Sequence, residues 1–480
     1  MAHPHKSSYI APYQATHANA VRTTPADSMN LTTMTASVKL RLARVFLPIV
    51  ASQQQEPRAL MSRFIAQLQR GLAACACSAA ALLPASGQAQ SVSAAVTAGW
   101  LPAAIAVNPV TNKVYVMNYL SNNVTVIDGM TNTTTTVTAG TNPNAIAVNP
   151  VTNKVYVANL WSNDVTVIDG TNNITTNVTA GANPNAIAVN PVTNKVYVAN
   201  LDSNDVTVID GATNTTTTVA AGTRPVAIAV NPVTNKVYVA NFGSNNVTVI
   251  DGVTNTTTTV TAGTRPAAIA VNPVTNKVYV ANQLSNNLTV IDGAANTTTT
   301  VTSGTNPRAI AVNPVTNKVY VANNGSANVT VIDGASNAAT NVAAGTTPFA
   351  IAVNPVTNKV YVANSGSANV TVIDGMTNTR TTVAAGTNPR AIAVNPVTNK
   401  VYVANIGSNN VTVIDGASNT TANVTAGANP YPIAVNPVTN KVYVANLFSD
   451  NVTVIDGVTN TTTTVTAGTN PNAIAVNPVT

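Results

Sequence analysis

A unit of 41 residues repeats along this chain from residue 91 onwards, and this period constrains the fold more than any other feature. The motif AVNPVT marks each copy, and its Asn-Pro step recurs ten times without insertion or deletion. The steps begin at Asn108, Asn149, Asn190, Asn231, Asn272, Asn313, Asn354, Asn395, Asn436 and Asn477. A period of about 40–45 residues with four strand-like stretches is typical of the blades of a β-propeller.

Each copy contains four short stretches with strand character and none with helical periodicity. They read AIAVN, KVYVAN, NVTVIDG and TTTTVTAG, and we label them A to D. Stretches rich in Val, Ile, Thr and Tyr between Pro, Gly and Asn turns are typical of β-strands. The alanines of strand A suit a crowded centre, and the threonines of strand D suit a hydrated rim. We therefore predict an all-β fold, a β-propeller of four-stranded antiparallel blades over residues 91–480.

The number of blades is open between nine and ten. Nine complete repeats are followed by a partial one, which stops at Thr480 in the turn after its A strand, and residues 93–99 resemble a D strand. Closing a tenth blade would need about 18 further residues for its B and C strands. We expect either a propeller that is truncated at the C-terminus and whose parent closes at ten blades, or a nine-bladed ring with frayed ends. The lack of a linker disfavours two smaller propellers.

The segment before the repeats has the features of a secretory signal. Arg63 and Arg70 precede an apolar run over residues 71–85, and small residues at Gly87 and Ala89 suit a cleavage site. The run is shorter than the roughly 20 apolar residues that span a membrane. We therefore predict a Sec-type signal peptide at residues 61–89, and no transmembrane segment.

These features predict a bacterial protein that is secreted, periplasmic or displayed at the cell surface. Residues 1–60 show no clear pattern and are interpreted as an unstructured leader or a mis-called start. The sequence Leu-Ala-Ala-Cys ending at Cys75 resembles a lipobox, which would make that cysteine a lipid anchor. Arg70 stands where a lipobox needs its apolar stretch, so the secretory interpretation is favoured.

The rare residue types are confined to the first 90 positions, and this excludes several kinds of function. All three His, the only Glu and both Cys lie there. The repeats therefore lack the groups for Ser-His-Asp or Cys-His catalysis and for zinc, haem or iron–sulfur ligation. Beyond residue 90 the chain carries 14 basic and 13 acidic residues, too balanced for a nucleic-acid surface. We expect no enzyme activity, no cofactor and no nucleic-acid partner.

The repeated motifs IAVNPVTNKVYVAN and NNVTVIDG, with Tyr115-Val116 at their centre, resemble the YVTN family of β-propeller repeats. The resemblance covers about residues 92–480. It implies an exported propeller of the secreted or surface-layer type found in bacteria and archaea. It implies no particular reaction or ligand.

Large and charged residues are unevenly distributed among the loops. Because strands alternate in direction, the D–A and B–C loops emerge on one face of the ring, and the A–B and C–D turns on the other. The loops of the first face carry nearly all the variable aromatic and Arg residues, which binding surfaces favour. The candidate binding residues are Tyr119, Trp161, Arg224, Phe242, Arg265, Arg308, Phe349, Arg390, Tyr431 and Phe448. The competing interpretation is neutral drift of duplicated loops.

An aspartate ends strand C in all nine complete repeats, as at Asp128. A ring of nine carboxylates suggests calcium, but simple hairpin register places each Asp opposite the Lys that begins strand B, as with Lys113. We therefore predict a cross-strand ion pair with Asx-Gly turn chemistry and no metal.

Three functional hypotheses follow. The leading one is an exported binding or adhesion module whose loop face contacts a surface glycan or a protein, by aromatic stacking and arginine pairing. The second is a structural surface-layer subunit that self-associates. The third, which the missing His, Glu and Cys disfavour, is a propeller enzyme of the lactonase or quinoprotein dehydrogenase kind.

Overall fold

The computed structural model describes residues 98–477, which form an all-β propeller of nine four-stranded sheets. The expectations for residues 1–60, for the signal peptide at 61–89 and for most of the D-like segment at 93–99 lie outside these residues. No helix that is long and apolar enough to cross a membrane occurs between residues 98 and 477.

The nine blades follow the sequence repeats one for one, as predicted, and each contributes four consecutive strands. The strands are β1 (Pro102–Asn108), β2 (Lys113–Asn118), β3 (Asn123–Asp128), β4 (Thr134–Thr138), β5 (Pro143–Asn149), β6 (Lys154–Asn159), β7 (Asp164–Asp169), β8 (Thr175–Thr179), β9 (Pro184–Asn190), β10 (Lys195–Asn200), β11 (Asp205–Asp210), β12 (Thr216–Ala220), β13 (Pro225–Asn231), β14 (Lys236–Asn241), β15 (Asn246–Asp251), β16 (Thr257–Thr261), β17 (Pro266–Asn272), β18 (Lys277–Asn282), β19 (Asn287–Asp292), β20 (Thr298–Thr302), β21 (Pro307–Asn313), β22 (Lys318–Asn323), β23 (Asn328–Asp333), β24 (Ala339–Ala343), β25 (Pro348–Asn354), β26 (Lys359–Asn364), β27 (Asn369–Asp374), β28 (Arg380–Ala384), β29 (Pro389–Asn395), β30 (Lys400–Asn405), β31 (Asn410–Asp415), β32 (Thr421–Thr425), β33 (Pro430–Asn436), β34 (Lys441–Asn446), β35 (Asn451–Asp456) and β36 (Thr462–Thr466).

Within each blade the strands A to D pair as an antiparallel meander. In the first blade, Asn108 pairs with Lys113 across strands A and B, and Lys113 pairs with Asp128 across strands B and C. The A strands of successive blades contact one another, so they line the centre of the ring. The D strands are exposed apart from one inward Val, which confirms the rim position predicted from their threonines.

The hydrophobic core lies between blades. One face of the first blade presents Tyr115 and Val124, and these pack against Val155, Val157 and Ile168 of the second. The same set recurs at the next junctions, with Tyr238 against Val278 and Ile291 between the fourth and fifth blades, for example. Because each blade buries both of its faces, its B and C strands are apolar on both sides.

The polar contacts between blades correct one prediction. Lys113 stands opposite Asp128 in the hairpin register, as expected, but its ammonium group reaches the second blade. It donates to the carbonyl oxygens of Gly170 at 2.7 Å and Thr171 at 3.0 Å, and to Asn173 Oδ1 at 3.0 Å. The predicted ion pair within the hairpin is therefore wrong for this lysine. The hairpin register places the backbone of the lysine opposite the aspartate, but the acceptors for its ammonium group come from the neighbouring blade.

The aspartates cap their own C–D turns, which confirms the turn chemistry. Asp128 Oδ1 accepts hydrogen bonds from the backbone N–H groups of Met130 at 2.9 Å and Thr131 at 2.8 Å, and from the Thr131 hydroxyl. These donors, the backbone N–H of Thr131 first, hold the pKa of Asp128 below its usual value. Within residues 98–477, no group of three or more His, Cys, Asp or Glu could hold a metal ion.

The junction between the ninth and first blades differs from the others. Residues 471–477, the A segment of the tenth repeat, belong to no sheet. Asn477 nevertheless donates to Asn112 of the first blade, and the same contact joins Asn108 to Asn153 between the first and second blades. Residues 471–477 therefore take the place of an A strand between the ninth blade and the first. We call this place the tenth position.

Candidate binding surface on the loop face

The antiparallel meanders bring the D–A and B–C loops to one end of every blade, and we call this end the loop face. The candidate residues occupy four positions of the repeat on it. Arg224 and Arg265 precede the proline that begins an A strand. Arg308, Phe349, Arg390 and Tyr431 follow that proline, in four successive blades. Tyr119, Phe242, Trp161 and Phe448 lie in the B–C loops, the first two directly after strand B.

The residues that follow the proline are in strands and not in loops, because strand A begins earlier than the sequence pattern indicated. In the sixth blade Pro307 pairs with Asn323 and Ala309 with Ala322, so Arg308 falls in a shift of register. The same shift places Phe349 and Arg390. A β-bulge redirects the side chain of its extra residue and is common beside functional sites. Here it occurs at the inner end of the loop face.

Four of these residues form a cluster of alternating charge and aromaticity, which we call the inner cluster: Arg308, Phe349, Arg390 and Tyr431. The guanidinium carbons of Arg308 and Arg390 lie 4.5 and 4.9 Å from the centre of the Phe349 ring, one from each neighbouring blade. Burial raises the pKa of Tyr431, and the positive charges of Arg390 and Arg308 partly offset the effect. All four side chains therefore interact electrostatically across blades six to nine.

A second group, the outer cluster, consists of Arg224, Phe242 and Arg265. The Arg265 guanidinium lies 5.2 Å from the centre of the Phe242 ring, and that of Arg224 lies 6.0 Å from it. Both arginines have left-handed backbones, with φ of 54° and 56°. That region favours Gly and Asn over other residues. The two arginines, in equivalent turns of neighbouring blades, therefore adopt a backbone conformation that costs conformational energy.

The remaining candidates are not brought into either cluster. Trp161 and Phe448 are each 68% exposed, on the second and ninth blades. Tyr119 is half-buried on the first blade. The candidate residues therefore form two clusters with separate aromatic side chains around them.

Three arginines of the clusters have no carboxylate beside them within the described residues. Among residues 98–477, no Asp or Glu oxygen lies within 4.0 Å of the guanidinium groups of Arg224, Arg265 or Arg390. Arg390 Nε donates to Asn388 Oδ1 at 3.1 Å, which leaves its outer nitrogens available. An arginine stacked on an aromatic ring keeps its in-plane N–H donors, which match a carboxylate or sulfate.

Sequence reasoning missed two features of the surface. The bulge was not readable, because nothing in the PxAIAVN pattern distinguishes an extra residue from a paired one. The opposite face carries a ring of exposed valines from the invariant NPVT turns, between 55% and 70% exposed. Because the binding surface is predicted from variation among the loops, these invariant turns are not part of that prediction. These valines are Val110, Val151, Val192, Val233, Val274, Val315, Val356, Val397 and Val438.

One family model matches part of the chain. The family model described as lactonase, 7-bladed beta-propeller, matches residues 250–340, which lie mainly in the fifth and sixth blades. No curated protein matches the chain.

Three solved structures are similar to this chain at low sequence identity. The dihydro-heme d1 dehydrogenase NirN is 13% identical with a TM-score of 0.49, over 68% of this chain and 75% of that one. Hydrazine synthase of Kuenenia stuttgartiensis is 20% identical with a TM-score of 0.41, over 77% and 99%. Apo AztD of Citrobacter koseri is 13% identical with a TM-score of 0.44, over 66% and 96%. Residues 98–477 form a nine-bladed β-propeller, and the chain is similar to the lactonase propeller family over residues 250–340, about two of these blades.

Proposed function

We propose that this chain is an exported binding module whose loop face takes an acidic glycan. The observation that carries the proposal is the inner cluster. There Arg308 and Arg390, from the two neighbouring blades, both stack on the Phe349 ring. Stacking restrains both guanidinium groups before any ligand arrives, so little side-chain entropy is lost on binding. Arg390 has no carboxylate within 4.0 Å among residues 98–477, so its restrained positive charge favours a ligand that carries anionic groups.

The chemistry favours uronate or sulfated sugars over neutral ones. Each guanidinium can donate two parallel hydrogen bonds to a carboxylate or sulfate. The exposed rings of Trp161 and Phe448 can stack on sugar faces farther out. Since the inner and outer clusters lie on different blades, a polymeric ligand would contact both, and the second contact would gain from effective concentration.

A binding assay with matched arginine variants tests this proposal. The full chain would be titrated with a polyuronate and with a neutral glucan of similar length, at low and at moderate salt. The double variant Arg308→Ala, Arg390→Ala should lose about tenfold or more in affinity for the polyuronate, as expected from about 1.5–3 kcal/mol for a hydrogen bond to a charged group.

Arg380→Ala is the control, since Arg380 begins the exposed strand β28 away from the loop face. It removes one positive charge and should leave the affinity unchanged. Equal losses in Arg380→Ala, or equal binding of the neutral glucan, would show that the interaction is non-specific and would refute the proposal.

The proposal includes no catalysis. The loop face offers Arg, Phe, Tyr, Trp and the four aspartates Asp164, Asp202, Asp205 and Asp450, and the repeats contain no His, Glu or Cys to act as base or nucleophile. The family match makes lactone hydrolysis the reaction to test. Pure protein incubated with a panel of sugar lactones should give hydrolysis no faster than buffer. Turnover that is lost in the Arg308→Ala, Arg390→Ala variant would instead assign an enzyme to the same site.

A second candidate function, self-association into a layer, is favoured by the exposed valine ring on the opposite face. Nine valines at least 55% exposed on one face form an unusual apolar surface. Met130 and Met376 in the C–D turns extend it, at 82% and 70% exposure. Static light scattering across a concentration series should detect growth. Val192→Asn, Val274→Asn and Val356→Asn together should abolish it if this ring is the contact, whereas the inner-cluster variant should not.

A further inference from the structure

The B–C loop of the sixth blade contains the one Asn-Gly step of the whole sequence, Asn324-Gly325. Asparagine loses its amide most readily before glycine, because glycine has no side chain to shield its backbone nitrogen from the carboxamide carbon. Asn324 is half-buried and follows strand β22 directly, and Gly325 is exposed in the turn. The step therefore lies on the loop face, accessible to solvent.

The side chain of Asn324 joins the sixth blade to the seventh beside the inner cluster. Its Nδ2 donates to the carbonyl oxygen of Pro348 at 3.2 Å, and Phe349 is the next residue along the chain. Strand β22 pairs with the strand of Arg308 up to the residue before Asn324. Asn324 therefore bridges the same two blades as the contact between Arg308 and Phe349.

The seventh blade has the same loop without the reactive residue. Residues 313–334 and 354–375 are identical except that Ser365 takes the place of Asn324. The Ser365 hydroxyl donates within its own blade, to the carbonyl oxygen of Thr347 at 3.1 Å. The chain therefore contains a matched reference loop that differs from the Asn-Gly loop by one side chain.

We infer that Asn324 is a site of spontaneous deamidation, which adds a carboxylate beside the inner cluster. The backbone nitrogen of Gly325 forms a bond to the carboxamide carbon of Asn324, the bond from that carbon to Nδ2 breaks, and ammonia leaves with the Gly325 proton. Water then opens the cyclic imide at either of its carbonyl carbons, which gives aspartate or isoaspartate. In the folded turn the Gly325 N–H donates to the Thr305 carbonyl at 2.9 Å, so the reaction proceeds when this exposed turn opens.

The product changes the surroundings of the inner cluster in two ways. A carboxylate cannot donate to the Pro348 carbonyl, so this bond between blades is lost and the two oxygens repel each other. A negative charge also enters between the strands of Arg308 and Phe349, where it competes with an anionic ligand for the guanidinium groups. This second effect rests on the proposed function, whereas the modification itself does not. Deamidation therefore lowers the affinity of the loop face for acidic glycans as the protein ages.

Mass spectrometry of the full chain tests the modification. The folded protein is incubated at mildly alkaline pH and digested with trypsin, and the peptide of residues 319–359 is fragmented beside that of an unincubated sample. Conversion of amide to acid should appear at Asn324 well before it appears at Asn245, which is exposed in the B–C loop of the fourth blade. The Ser365→Asn variant recreates the Asn-Gly loop in the seventh blade and should gain a second modified site. Conversion at Asn324 no faster than at Asn245 would overturn the inference.

Binding assays test the consequence for the ligand. The aged wild-type chain and the Asn324→Asp variant should each bind the polyuronate about threefold or more weakly than the fresh chain, as expected for one added charge in a partly exposed position. Asn324→Ser, which takes the loop sequence of the seventh blade, should have the same affinity before and after incubation. An equal loss on ageing of Asn324→Ser, or an unchanged affinity of Asn324→Asp, would refute the charge effect. A fresh wild-type chain that binds no polyuronate would refute the proposed function, and the mass gain at Asn324 would still decide the modification.

Discussion

The inter-blade lysine contacts allow a stability prediction with an internal control. Lys277 Nζ donates to the carbonyl oxygens of Gly334 and Ala335, both at 2.8 Å, and to Asn337 Oδ1 at 2.9 Å. Replacing Lys277 by Met keeps most of the aliphatic length and removes all three donors. The substitution therefore isolates the contact between the fifth and sixth blades.

The expected cost follows from the geometry of these bonds. A single hydrogen bond from a charged donor contributes about 1.5–3 kcal/mol to stability. Lys277 is half-buried, so water replaces part of the loss on both sides. We expect Lys277→Met to lower the free energy of unfolding by about 2–3 kcal/mol.

Lys441 provides the matched control, because it has the same sequence context and no lysine contact to a following blade. Its ion pair with Asp456 at 3.3 Å is partly exposed and contributes about 0–1 kcal/mol. Urea unfolding of the two variants at neutral pH, with equal m-values, measures both costs. Equal shifts in midpoint for Lys277→Met and Lys441→Met would refute the role of the lysine as a contact between blades.

Three further predictions concern pH and backbone conformation. Backbone N–H donors hold the pKa of Asp251 below its usual value, and the same holds for Asp210, Asp333 and Asp374. These carboxylates therefore stabilise the fold above the unfolded pKa near 3.9, and the gain is lost as the pH falls through the folded value. With no His or Glu in the repeats, melting temperature should stay level from about pH 8 to 5 and fall below about 4; a decline already above pH 5 would contradict this. Burial raises the pKa of Tyr238 to about 12, so the neutral phenol stabilises the fold fully below about pH 10, and this stabilisation is lost toward pH 12. The absorbance of tyrosinate should therefore rise together with unfolding in that range, and not before it. Thr347 has a left-handed backbone, with φ of 54°, and Asn388 occupies the same position in the next copy. Thr347→Asn should raise the free energy of unfolding in urea by about 1 kcal/mol, and Asn388→Thr should lower it by a similar amount. A change of the same sign for both variants would refute the strain argument.

The fold could be predicted from the sequence because every blade corresponds to one copy of the 41-residue repeat. The alternation in KVYVAN and NVTVIDG placed strands B and C, and the threonines placed strand D at the rim. The hairpin register between Lys113 and Asp128 was also readable, since a short turn allows few alternatives. The hydrogen-bond acceptors of the Lys113 ammonium group could not be predicted from the sequence. They depend on the packing angle between blades, which no local sequence pattern determines.

The candidate site was predictable only at the level of the face. Strand alternation placed the variable aromatic and Arg residues at one end of the blades. Which of them meet depends on the bulge that positions Arg308 and Phe349 and on the radius of the ring. Residues that share a loop type, such as Phe242 and Trp161, therefore have different surroundings although their sequence positions are adjacent in the repeat.

The lysine and asparagine contacts between blades all run in one direction around the ring. Asn108 donates forward to Asn153 and Lys113 donates forward to Gly170, and later blades repeat both contacts. Each blade therefore has a donor side and an acceptor side, so the junction is heterologous and nothing in its chemistry specifies a number of blades. Closure competes with polymerisation on concentration alone: one broken junction would expose two complementary ends, and these would rejoin within the chain until the protein concentration approached their effective molarity.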